Sequence, residues 1–199
     1  MEKVLVTGAT GYIALHCIHQ LLNQGYAVNG SLRSPERKDE IIEALKKDNT
    51  PVENLSLFTF NLTEDDGWDE GMEGCDFLLH VASPLSINTH DEDYFVKPAV
   101  SGVKRALKFA KKHSVKKVIL TSSVAAILET GEDKQYFDET DWSDPESSEI
   151  SHYSKSKTLA EMAAWDFVKE EGYPFELAVI NPALAVSYTH LTLPTKSRG

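Results

Sequence analysis

In the stretch Tyr153-Ser154-Lys155-Ser156-Lys157 a phenol and an ammonium stand four residues apart, which puts them on one face of a helix. A phenol ordinarily titrates near pH ~10 and is a poor proton donor at neutral pH. A neighbouring ammonium favours the phenolate and brings the group toward the working range, so the pair suits general acid–base chemistry. Upstream, Thr121-Ser122-Ser123 closes a β-rich run. A hydroxyl at that end of an open α/β sheet can hydrogen-bond a carbonyl and orient it for hydride attack. Ser122 and Ser123 compete for that role.

A second group of residues could hold the hydride carrier. Thr7-Gly8-Ala9-Thr10-Gly11-Tyr12-Ile13-Ala14 follows the first β-rich run directly and opens a helical pattern. Gly8 permits a tight turn, Gly11 lets the backbone approach a pyrophosphate, and Ala14 allows close packing of helix on strand. The helix N-terminus then offers N–H groups and a partial positive charge to phosphates. An acid at the end of the second strand would bind the ribose 2′-hydroxyl of NAD. The segment Val28-Asn29-Gly30-Ser31-Leu32-Arg33-Ser34 has none. Arg33 can instead fork onto a 2′-phosphate, with Arg37 or Lys38 assisting. The expected cofactor is NADP(H).

These residues need a scaffold, and the patterning supplies one. β-rich runs at 3–7, 26–31, 55–60, 76–81, 117–121 and 175–180 alternate with helical patterns. Ile13, Cys17, Leu21 and Leu22 form one apolar stripe; Ile41, Ile42 and Leu45 form another after Pro35. Val100, Val103, Leu107 and Phe109 mark a longer helix that ends in Lys111-Lys112-His113, with Asp91, Glu92 and Asp93 as its acidic first turn. In the Tyr153 helix, Leu159, Met162 and Ala163 fit a face packed on the sheet, leaving Tyr153 and Lys157 to the cleft. Trp142 and Trp165 read as core or loop anchors, His80 as a packed strand-end histidine, and 128–150 as a long surface loop. Strands alternating with helices predict an α/β fold, a Rossmann-type doubly wound parallel sheet with right-handed crossovers.

Composition narrows the partners. Of the 199 residues 41% are apolar and 26% charged, as in ordinary globular domains, and the net charge is −11. That sign argues against nucleic acid and anionic membrane. No apolar run approaches the length of a membrane span. The chain enters a strand at once with no signal or transit segment, and Cys17 and Cys75 form no metal-ligand pattern, so no metal is expected. The expectation is a cytoplasmic protein with reduced thiols, acting on a small molecule; nothing here fixes an oligomeric state. Val186-Ser187-Tyr188-Thr189-His190-Leu191-Thr192-Leu193-Pro194-Thr195 corresponds, residue for residue, to one reading frame of a widely used transposase sequencing adapter. Residues 1–185 are therefore expected to be the dinucleotide-binding domain. Residues 186–199 are expected to be an adapter-derived tail.

Five motifs together carry a resemblance. They are the glycine turn through His16, His80-Val81-Ala82-Ser83-Pro84, Leu120-Thr121-Ser122-Ser123, Tyr153 through Glu161, and Ile180-Asn181-Pro182. From Val4 to about Leu184 the chain resembles the extended short-chain dehydrogenase/reductases of the NAD-dependent epimerase/dehydratase superfamily. Within them it is most similar to the dihydroflavonol reductase and yeast methylglyoxal reductase-like group of aldehyde and ketone reductases. The resemblance implies Ser123, Tyr153 and Lys157 as catalytic triad, with Tyr153 and Lys157 also touching the cofactor. It implies that Thr7, Gly8, Thr10, Gly11, Tyr12 and Ile13 cradle the cofactor, and that Arg33 and Lys38 read its 2′-phosphate. Asn61 and Leu62 would lie by the adenine, Val81, Ala82 and Ser83 along the cofactor, and Pro182 near the nicotinamide. Asn61 stands where the family usually has Asp. The resemblance also implies that the tail cuts the chain before a substrate-binding region. The activity implied is NADPH-dependent reduction of an aldehyde or ketone with Tyr153 as proton donor. A nucleotide-sugar epimerase or dehydratase using NAD, and a non-catalytic dinucleotide sensor, are the alternatives on this scaffold.

Overall fold

A computed structural model describes residues 1–83, 92–131 and 134–183, so the expected tail at 186–199 and Asp91 lie outside the described residues. In chain order the elements are β1 (Lys3–Val6), α1 (Tyr12–Asn23), β2 (Ala27–Leu32), a 3-10 turn (Pro35–Arg37) and α2 (Lys38–Lys47). Next come β3 (Leu55–Thr59), α3 (Trp68–Met72), β4 (Phe77–His80) and α4 (Glu92–Lys112). The chain continues with β5 (Lys117–Thr121), a 3-10 turn (Val124–Ala126), α5 (His152–Glu170) and β6 (Glu176–Ile180).

The strands form one sheet in the order β3-β2-β1-β4-β5-β6, with every neighbouring pair parallel. β1 sits centrally, with Val4 opposite Val28 of β2 on one side and Phe77 of β4 on the other. Chain progress reverses direction there, so the loops after β1 and β4 diverge and leave a crevice at the carboxyl ends of the strands. Side chains alternate across β1: Val4 and Val6 belong to a core with Ile18, Leu22, Ile41 and Leu45 under α1 and α2. Leu5 belongs to a core with Trp68, Leu78, Leu107, Ala164 and Val168 under α3, α4 and α5. The period of two along a strand places these two cores on opposite faces, as a doubly wound sheet requires.

Three expectations are corrected. The buried stripe of α1 is Ala14, Ile18 and Leu22, while Ile13 is 41% exposed. A helix docked at the glycine turn must bring its smallest residue, Ala14, against the sheet, and this rotates the apolar face by one position. In α5 Ala163 is buried as expected, but the buried face also runs through Lys157, Ala160, Glu161, Ala164 and Val168, and Leu159 and Met162 are only half-buried. Lys157 is therefore on the packed face, not left out in an open cleft. Trp165 is 40% exposed, against a surface groove, and is no core anchor. The patterning also missed α3, whose glycines, Gly67 before it and Gly71 within it, mask a single turn built around fully buried Trp68.

Candidate functional site

The glycine turn links β1 to α1. Gly8 has φ +76°, and a Cβ on it would lie 3.1 Å from Ala82 Cβ, so the position needs glycine for both conformation and space. Its N–H donates to Ser31 Oγ (3.1 Å), and the Ala9 N–H donates to the Ser31 carbonyl (2.7 Å), so the turn is tied to β2. Gly11 is the N-cap of α1; among the described residues no side chain caps this end, and the first turn carries no acid. The first-turn N–H groups have no intrahelical acceptors, leaving a site suited to an anion. Thr10 is half-buried, and Tyr12 and Ile13 are exposed at the same end.

Thr7, fully buried, locks this turn to the end of β4. Its hydroxyl accepts from the N–H groups of Val81 and Ala82, both at 3.0 Å, and lies 3.0 Å from His80 Nδ1. With both lone pairs so used, the hydroxyl proton must go to Nδ1, which puts the imidazole proton on Nε2. His80 is buried, and desolvation, aided by the Lys157 charge, pushes it down to about 4. It is a neutral packing residue, as the sequence suggested.

At the far end of β2, Arg33 is exposed and makes no ion pair with any described residue. Arg37 is different: its guanidinium forks onto Glu40 at 2.7 and 2.6 Å. Of the two helpers considered for Arg33, Lys38 at the start of α2 is thus the one not already committed to a carboxylate. Asn61 Oδ1 accepts from the N–H and hydroxyl of Thr63 (2.7 and 2.6 Å), and its carbonyl accepts from Trp68 Nε1 at 2.9 Å. An aspartate could accept the same two bonds, so the departure from Asp leaves the loop shape intact.

The third part of the site lies where β4, β5 and α5 meet. Ser151 caps α5 by accepting the Ser154 N–H at 3.0 Å, and its hydroxyl faces that of Ser154, which donates to Glu129. This anchors the helical turn carrying half-buried Tyr153. Lys157 Nζ lies 5.9 Å from the Tyr153 ring centroid. Burial pushes Lys157 down to about 8, with Glu161 opposing the change. A small cavity of about 20 Å³ brings together Leu62, His80, Ala82, Ser83, Ser122 and Lys157, from four separate segments of chain.

The competing serines separate here. Ser123 Oγ accepts the Ala125 N–H at 3.1 Å as the cap of the 3-10 turn. Ser122 Oγ is buried at the cavity wall with no hydrogen-bond partner among the described residues. The half-buried Pro182 accepts the Val124 N–H through its carbonyl at 3.1 Å, so it borders the same turn.

The sequence profile of the NAD dependent epimerase/dehydratase family matches residues 4–191. The chain belongs to that family. A cinnamoyl-CoA reductase of Medicago truncatula is 38% identical over 190 residues, covering 92% of this chain and 57% of the relative. A dihydroflavonol 4-reductase of Arabidopsis thaliana is 36% identical over 192 residues, covering 93% and 50%. Among solved structures, the yeast methylglyoxal/isovaleraldehyde reductase in complex with NADPH superposes with a TM-score of 0.79 at 34% identity, over 91% of this chain and 57% of that one. The chain thus spans little more than half the length of these relatives.

For a member of this family, the sequence motifs missed two residues that the geometry brings forward. Asn181 Nδ2 donates to the Ser123 carbonyl (3.1 Å) and to Glu161 Oε2 (2.8 Å), so both stand within reach of the candidate triad. Their signal was present, inside the two motifs quoted for the resemblance, but no spacing rule assigned them a task. Among the described residues no group of His, Cys, Asp and Glu could hold a metal ion, and no helix is long and apolar enough to cross a membrane.

Proposed function

We propose that this chain is the dinucleotide-binding part of an NADPH-dependent aldehyde or ketone reductase. The observation that carries the reading is the Tyr153–Lys157 pair on the capped start of α5, with Lys157 lining the small cavity where β4, β5 and α5 meet. NADP(H) fits the residues present. Gly8 and Gly11 form a cradle that side chains would fill, and among the described residues no side chain caps α1 and none makes an ion pair with Arg33 past the end of β2. The relatives' reductase names, and the NADPH in the yeast complex, support the same choice.

In this reading the turn Thr7 to Ile13 receives the pyrophosphate, with Arg33 and Lys38 on the 2′-phosphate. Asn61 and Leu62 border the adenine, Val81, Ala82 and Ser83 run along the cofactor, and Pro182 borders the nicotinamide. Bound NADPH supplies the hydride. Tyr153 gives the proton to the carbonyl oxygen, and the Lys157 ammonium stabilises the negative charge that donation leaves on the phenol oxygen. Ser123 retains a hydroxyl proton after capping the 3-10 turn and can hold the carbonyl in line.

The test is a binding titration with NADPH and NADH, followed by a panel of aldehydes and ketones. The expected result is preferential NADPH binding and carbonyl-dependent NADPH oxidation. Tyr153→Phe should keep the binding and lose roughly 10²–10⁴-fold in turnover, the usual worth of general acid catalysis. Full turnover in Tyr153→Phe would sink the assignment. NAD retained through purification, with no carbonyl reduced, would favour the epimerase class instead.

A further inference from the structure

Lys157 and Glu161 are opposite charges one turn apart on the packed face of α5, only 7% and 6% exposed. An isolated buried charge is unfavourable unless another charge or a set of hydrogen bonds compensates it. They do not form a direct ion pair; both line the same small cavity. Other described polar residues around the cavity are the neutral His80 and Ser83 at the end of β4 and Thr121 and Ser122 at the end of β5, and the Tyr153 ring of α5 itself lies 5.9 Å from Lys157 Nζ. Among the described residues, α4 contributes Ala99 and Val103 to this cavity. Glu161 is therefore the single anion among the described residues there. Its Oε2 also accepts from Asn181 Nδ2, and the same nitrogen donates to the carbonyl of Ser123. A carboxylate on α5 is thereby tied through the end of β6 to the end of β5.

We infer that Glu161 is a positioning residue with two separable tasks: it is the buried counter-charge of the Lys157 ammonium, and through Asn181 it clamps the backbone that carries Ser123. The inference deepens the reductase reading and rests on it for its purpose, but its geometry does not depend on turnover. Without the carboxylate, desolvation of Lys157 goes unopposed and the ammonium is lost at lower pH. Without the clamp, the Ser123 carbonyl loses its side-chain donor, and the 3-10 turn that Ser123 caps loosens.

The two tasks can be read by NMR on the protein itself. The Nζ resonance of Lys157, assigned by its disappearance in Lys157→Met, is titrated in ¹⁵N-lysine-labelled protein. Hydrogen exchange is followed at Ala125, whose N–H donates to Ser123 Oγ, and at Ala126, whose N–H donates to the Ser123 carbonyl. In Glu161→Gln, which keeps an acceptor for Asn181 but no charge, the Lys157 midpoint should fall by on the order of one pH unit, with exchange unchanged. In Asn181→Ala the midpoint should hold while Ala125 and Ala126 exchange several-fold faster. Glu161→Asp keeps the charge and shortens the reach, so it should behave like Asn181→Ala, and it carries the charge test if the Gln variant does not fold. An unmoved midpoint in Glu161→Gln, a midpoint in Glu161→Asp that falls, or unmoved exchange in Asn181→Ala would overturn the inference. Failure of the reductase reading would instead appear as absent carbonyl-dependent NADPH oxidation with these NMR results intact.

Discussion

The Thr7 hydroxyl and His80 Nδ1, 3.0 Å apart, join the ends of β1 and β4 beneath the crevice. The contact fixes the tautomer, while burial and the Lys157 charge hold the imidazole neutral and make stability depend on pH. His80 ordinarily titrates near 6.5 and is held down to about 4 in the folded chain. Between those values the unfolded chain binds a proton that the folded one does not. Stability is therefore expected to fall as pH drops from 6.5 to 4, by roughly 3 kcal/mol from this group, and to level off below. Urea denaturation at a series of pH values should show that slope flattened in His80→Gln. Parallel curves for the two proteins would refute it.

Thr7 itself should tolerate serine and not valine. Thr7→Val strands the N–H groups of Val81 and Ala82, each losing its acceptor. An unsatisfied buried donor costs about 1–3 kcal/mol, so the urea midpoint should drop clearly in Thr7→Val and little in Thr7→Ser. Equal midpoints would mean the backbone finds other partners.

Cofactor choice is expected to rest on Arg33 and hardly at all on Arg37. Hydrogen bonds to charged groups are worth about 1.5–3 kcal/mol, so Arg33→Ser should weaken NADPH binding by roughly ten- to a hundred-fold while leaving NADH nearly unchanged. Arg37 is already forked onto Glu40 at an exposed site, and Arg37→Ala should change either affinity less than a few-fold. Calorimetric titration of the two dinucleotides against each variant decides this; an equal loss of NADH binding in Arg33→Ser would remove Arg33 from the 2′-phosphate.

The alternation of strands and helices was legible because most strands are short β-rich runs and the longer helices carry periodic apolar residues. The glycine turn and the Tyr153–Lys157 spacing were legible because they are local. What stayed hidden depends on tertiary packing. The face of α1 is set by how closely Ala14 must approach the sheet, which a stripe of larger residues does not reveal. Lys157 is buried because α4 and the cavity wall close over it, and spacing along α5 says nothing of that. The Glu161–Asn181–Ser123 chain joins the middle of α5 to the ends of β6 and β5. α3 was hidden because its fit depends on Phe60, which lies outside the helix.

That fit gives a stability prediction. A Cβ on Gly71 would lie 2.5 Å from Phe60 Cε1, and the Gly71 carbonyl accepts from buried Asn29 Nδ2 at 2.7 Å. Neither the ring, packed on Trp68 at 4.6 Å between centroids, nor the bonded backbone can yield cheaply. Gly71→Ala should destabilise by about 1–3 kcal/mol, the usual cost of overpacking, although alanine favours helix over glycine. Chemical denaturation that finds the variant as stable as the parent would show that Phe60 can move aside.

The two serines at the end of β5 should respond oppositely. Ser122 Oγ is buried without a partner among the described residues, so removing it removes an uncompensated desolvation. Ser122→Ala is expected to be neutral or stabilising by up to about 1 kcal/mol, with carbonyl reduction unchanged. Ser123→Ala loses the cap on the Ala125 N–H, at a cost of about 1 kcal/mol, and the hydroxyl proposed to hold the carbonyl. Its NADPH affinity should stay near the parent value while turnover falls at least ten-fold. If turnover collapses in Ser122→Ala and survives in Ser123→Ala, the hydroxyl facing the cavity is the one that orients substrate, and the assignment of the triad must be exchanged between them.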